Sequence, residues 1–74
     1  MDKVTIYAVS WESSHEPDTT FVLTEDDAIE VEDYIDEKGF KYGGYFPVET
    51  YTGANIHTWA VGNSKDKTWK ENMY

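Results

Sequence analysis

No lysine or arginine occurs between Val4 and Glu37, and eight carboxylates crowd the fourteen residues from Thr24 to Glu37, TEDDAIEVEDYIDE. Folding gains nothing from so dense a row of like charge, so the segment has to lie on a surface, on an element whose other side is apolar. A helix meets that demand. On a 100° wheel Ala28, Val31, Tyr34 and Ile35 share one side, which is expected to pack on a sheet. Thr24 is placed to cap the helix, its hydroxyl accepting from the backbone N–H of Asp27. Asp27 holds the third helical position, where a carboxylate can answer the cap. Glu25, Asp26 and Asp27 suit the positive end of the helix dipole. The helix is expected to run to about Lys38, with Gly39 as the left-handed residue past its end. Ile29 falls outside the apolar stripe, among the acids.

The charge has a cost. Asp26 and Glu30, Glu32 and Asp36, and Asp33 and Glu37 are like-charge pairs at i, i+4, each unfavourable by roughly 0.2–0.5 kcal/mol. Asp36 and Glu37 also sit at the negative end of the dipole. Together this is about 1–2 kcal/mol, in a chain whose small core supplies only ~3–5 kcal/mol.

The 74 residues are expected to form a single domain, 1–74, with no cysteine for a disulfide or a thiolate metal site. No apolar run approaches the ~20 residues of a membrane helix. The start, MDKVTIYAVS, reads as a strand rather than a signal peptide, and a cytoplasmic protein is expected. Three Trp, six Tyr and three Phe argue against disorder despite the acidity. The net charge of −9 favours a basic protein surface as partner and disfavours nucleic acid or anionic membrane. All six cations are lysines, so the bidentate arginine fork is missing.

Residues 4–11 (VTIYAVSW) read as a strand apolar on both faces, hence central or covered on both sides. Residues 12–18 read as a loop and 19–23 as a second strand. After the helix, Gly43-Gly44 permits a bulge, a sharp bend or a close backbone approach. A third strand is expected over 45–52, a turn at 52–55, a fourth strand over 56–61 and a turn at 62–67. The tail 68–74 reads as a fifth strand, the alternative being a helical turn with Trp69 and Met73 stacked at i, i+4. The expected fold is α+β: an antiparallel sheet of four or five strands with one helix on one face, in the order β-β-α-β-β. Small phage-encoded inhibitors of host enzymes are similar in size and element order, but no motif identifies a family.

Catalytic and metal-binding patterns are missing. A calcium loop started at Asp33 places Ile35 at a ligand position and its glycine one position late. His15 and His57 lack the spacing of a metal site. Ser13, Ser14 and His15 are adjacent, which does not give triad geometry, and a paired-carboxylate mechanism needs a cleft. No enzyme activity, cofactor or metal is expected. The expected function is inhibition by nucleic-acid mimicry. Eight charges over roughly 18 Å of helix give about one per 2 Å, against one per ~1.7 Å of DNA axis. Glu25, Asp26, Glu30, Glu32, Asp33, Asp36 and Glu37 would stand in for phosphates on a basic, nucleic-acid-binding protein, with Tyr42 and Tyr45 as anchors beside them. The alternative is a structural or homo-oligomeric module whose aromatic strands form the interface while the acids only solubilise it.

Overall fold

β-branched and aromatic residues fill β1 (Lys3–Glu12), and this strand is the middle of a three-stranded antiparallel sheet. A computed structural model describes residues 2–13 and 16–72 of the chain. β2 (Pro17–Val22) pairs with β1 on one side, and β3 (Lys41–Tyr51) on the other. The helix α1 (Glu25–Lys38) connects β2 to β3; α2 (Asn55–Asp66) and the short α3 (Trp69–Asn72) follow β3.

The two apolar faces of β1 are both covered. Val9 and Trp11 on one face pack with Val22 of β2, with Ala28, Val31 and Ile35 of α1, and with Trp69 of α3. Ile6 and Ala8 on the other face are buried, as is Ala60 of α2, a helix that touches all three strands. Ring contact between Phe21 and Trp59, centroids 6.3 Å apart, holds α2 to that face near β2. Trp69 lies in the α1-side core instead, so the chain passes around the β2 edge between α2 and α3.

α1 has the expected limits. The Thr24 hydroxyl accepts from the Asp27 N–H at 3.1 Å and donates to the Asp27 carboxylate at 2.9 Å. Gly39 takes φ +77°, and its N–H reaches the carbonyls of the last turn. Ala28, Val31 and Ile35 are fully buried. Burying a Val or Ile side chain contributes about 1.5–3 kcal/mol, so this packing outweighs the ~1–2 kcal/mol of charge repulsion.

Four expectations are corrected. The sheet has three strands, not four or five, and the order is β-β-α-β-α-α. Residues 56–61 are helical, within α2, which also takes in most of the expected turn at 62–67; the expected turn at 52–55 is present and leads into the helix at Asn55. Alternation in IHTWAV suggested a strand, but Ile56, Ala60 and Ser64 recur at helical spacing and only Ala60 is fully buried. With so faint a stripe the helix is decided by tertiary demand: the Ile6/Ala8 face needs a cover, and β2's edge needs hydrogen-bond partners. Asn63 Nδ2 donates to the Phe21 carbonyl at 2.8 Å, and Ser64 Oγ accepts from the Leu23 N–H at 2.8 Å. The tail is a helical turn rather than a strand, because the indole of Trp69 is taken into the core; Met73 lies outside the described residues. Finally, β3 starts at Lys41 and β2 at Pro17, since β1 is long enough to pair with both down to Glu12.

Candidate protein-binding surface

Tyr42 and Tyr45 are three residues apart, and a regular strand would turn them to opposite faces. The ladder between β1 and β3 shifts register between Ser10 and Trp11, so that Tyr42 faces Trp11, Gly44 faces Ser10 and Tyr45 faces Val9. Gly43 is the extra residue of this bulge. Both tyrosines are thereby on the α1 face, packed at the margin of the core, and the Tyr45 ring meets Tyr7 edge-on at 6.1 Å.

The acids of α1 divide into three groups around the helix. Glu25, Glu32 and Asp36 flank β3. Burial raises the Tyr42 phenol above its ordinary pKa, and the charges of Glu32 and Asp36 add to this along with Tyr45. Tyr45 is likewise raised, by desolvation first and then by Glu25 and Glu32. Asp26, Asp33 and Glu37 lie opposite the buried stripe and are exposed. Glu30 and Asp27 turn toward α2. There the Lys67 ammonium bonds Glu30, and that hydrogen bond holds the Lys67 pKa above its usual value.

Lys67 is the only lysine within ion-pair distance of α1 among the described residues. Lys38 and Lys70 have another use: their ammonium groups lie 5.5 and 5.8 Å from the Tyr34 ring centroid, in cation–π contact. Lys3 approaches Glu49 at 4.0 Å, on β3. Of the seven acids expected to meet a partner, Glu30 is thus held within the fold, and Glu25, Asp26, Glu32, Asp33, Asp36 and Glu37 have no lysine within ion-pair distance among the described residues. Glu25, Glu32 and Asp36 are brought beside Tyr42 and Tyr45; Asp26, Asp33 and Glu37 form the crest next to them.

Ile29 belongs to this surface as well. It is 41 % exposed and, at helical spacing, has Glu25, Asp26, Glu32 and Asp33 as neighbours. Its place outside the apolar stripe was the sequence signal that it is exposed among the acids. An aliphatic side chain ringed by carboxylates suits a desolvated contact with a charged rim.

The described residues contain no group of three or more His, Asp or Glu side chains placed to hold a metal ion. His57, expected on a strand, lies in the first turn of α2, and its Nδ1 accepts the Gly53 N–H at 3.2 Å. Ser14 and His15 lie outside the described residues. No helix among the described residues is long and apolar enough to cross a membrane. Comparison with protein-family models, curated proteins and solved structures found no match.

Proposed function

We propose that this protein is a non-enzymatic binding protein that docks α1 and the adjoining part of β3 onto a basic, nucleic-acid-binding surface of another protein. The observation that supports this best is the set of six α1 carboxylates without a lysine partner, beside Ile29, Tyr42 and Tyr45. The acids steer the encounter and occupy sites made for phosphates. Ile29 and the tyrosine rings supply the apolar contact that acids alone cannot. The fold bears the repulsion along α1 with little internal neutralisation, which fits a role for these charges outside the fold.

The test is competition. A bound partner should be displaced by duplex DNA or RNA, and its affinity should fall steeply between roughly 50 and 200 mM salt. The combined reversal Asp26→Lys, Asp33→Lys and Glu37→Lys spares the Glu30–Lys67 pair and should abolish binding while circular dichroism is unchanged. A complex insensitive to salt and to these reversals would refute the proposal.

A second reading has its own support. β3 is an edge strand, and Phe46 and Tyr51 on it are exposed. These features suit self-association through β3. Sedimentation distinguishes the two, since a strict monomer at high concentration excludes the second reading.

A further inference from the structure

All three tryptophans of the chain line one cavity. It lies at the outer edge of β2, and Asp18, Thr19, Thr20, Phe21 and Asn63 complete its wall with Trp11, Trp59 and Trp69. Three different elements deliver the indoles. Trp11 comes from β1, directly across the ladder from Asp18, and its Nε1–H is fixed by Thr20 Oγ1 at 2.9 Å. Trp69 comes from α3 and is held edge-on against Tyr34, centroids 5.1 Å apart. Trp59 comes from α2 on the opposite face of the sheet and is 57 % exposed.

The walls specify the occupant. The cavity measures about 200 Å³, below the ~300–1,000 Å³ of pockets that enclose small molecules, so it suits one side chain or a group of that size. Indole faces attract cations more strongly than other rings do. The charged group on the wall is a carboxylate, Asp18, and no lysine lines the space. The whole chain, at −9, draws cations to its surface. Addition of a full extended strand is disfavoured here, because backbone groups along this edge are already engaged: Asp18 Oδ1 accepts from the Thr19 N–H at 2.7 Å, Asn63 takes the Phe21 carbonyl, and Ser64 takes the N–H of Leu23 just past β2. What remains open is the cavity beside that edge.

We infer that this cavity is a binding site for a single cationic side chain, lysine or arginine, presented by a basic partner protein. Trp11 is buried and stacked on Phe40, and the Trp69 ring already has the Lys70 ammonium 5.5 Å from its centroid, so the cation would sit against the exposed indole of Trp59, with Asp18 as its counter-charge. This site is separate from the acidic face of α1 and stands or falls independently of it.

Because every tryptophan of the protein lines the cavity, intrinsic tryptophan fluorescence reports on the site directly. The probes are three capped tripeptides of the form Gly-X-Gly, with X lysine, arginine or norleucine. The lysine or arginine peptide should change the fluorescence saturably in the millimolar range, and the norleucine peptide should not. Asp18→Asn preserves the acceptor for the Thr19 N–H and removes the charge, and should weaken binding about tenfold. Trp59→Ala removes the exposed wall, leaves Trp11 and Trp69 as reporters and should abolish the response. The triple reversal on α1 should leave it intact. Equal responses to norleucine and lysine, or no saturable response from folded wild-type protein, would overturn the inference; so would full binding by Asp18→Asn.

Discussion

Gly43 and Gly44 show how much of the surface depends on single residues. A Cβ on Gly43 would lie 2.9 Å from Ser10 Oγ and 3.2 Å from the Ser10 carbonyl oxygen, so the serine hydroxyl would have to turn away and the two strands would have to ease apart slightly there. Gly44 meets no such obstacle but takes φ +98°, which disfavours any side chain. Gly44→Ala is therefore expected to destabilise the fold by about 1 kcal/mol or more, read as a lower urea midpoint. Gly43→Ala should in addition disturb the packing of Tyr42 and with it the joint tyrosine–acid surface. The pair was legible in the sequence as a bulge, a sharp bend or a close approach, and the structure shows the bulge and, at Gly43, the close approach. The Thr24 cap was legible too, because capping is decided within a single turn. The sequence could not reveal that the bulge puts Tyr42 and Tyr45 on one face, since that depends on the register with β1.

Among the elements, α1 and α2 make an instructive contrast. α1 announces itself by a cap, a C-terminal glycine and three fully buried residues at helical spacing. α2 has no side-chain cap, carries Gly62 in its interior and buries only Ala60 fully, so its local pattern is that of a strand and a turn. Its warrant lies elsewhere in the chain. β1 is apolar on both faces, and the single helix expected from sequence covers only one of them; a second cover was required, and α2 provides it. Trp69 is similar, as its burial is set by the space beside Trp11 and Tyr34 and not by its neighbours in sequence. The candidate surface on α1 was thus largely readable, whereas the tryptophan cavity, assembled from β1, β2, α2 and α3, was not.

The charge on α1 yields its own expectation. Glu37→Lys converts a repulsive pair with Asp33 into an attractive one in the favoured orientation and places a cation at the negative end of the helix dipole. It should stabilise the fold by about 1 kcal/mol at low salt, with the gain shrinking as salt is added. Under the proposed function the same change weakens partner binding. Thermal unfolding at two ionic strengths, set beside a binding assay, checks both halves. A variant that is more stable and binds as well as the wild type would mean that Glu37 is only a solvated surface residue.

For the molecule as a whole, Tyr42, Tyr45 and Lys67 link stability to alkaline pH. Each has a raised pKa in the folded state, so each holds its proton more tightly folded than unfolded. Above about pH 10 the unfolded chain releases these protons first, and stability falls as pH rises. Below about pH 9 the contribution is complete and flat. Urea unfolding at about pH 8 and about pH 11 should show the loss. Tyr42→Phe and Tyr45→Phe should remove late-titrating phenolate absorbance and part of the slope. A midpoint that stayed constant across that window would show that the three groups titrate alike in both states.

β1 has one further consequence. It alone is hydrogen-bonded along both edges and covered on both faces, so the amides at Ile6, Ala8 and Val9 have no route to solvent through fraying of an end or lifting of one helix. Their deuterium exchange should proceed only when the entire molecule opens, while the solvent-facing amides of α1 exchange through local motions. Those few amides make the centre of the sheet a built-in gauge. Their exchange rates report the global free energy of the protein under native conditions, free of the extrapolation that denaturants require.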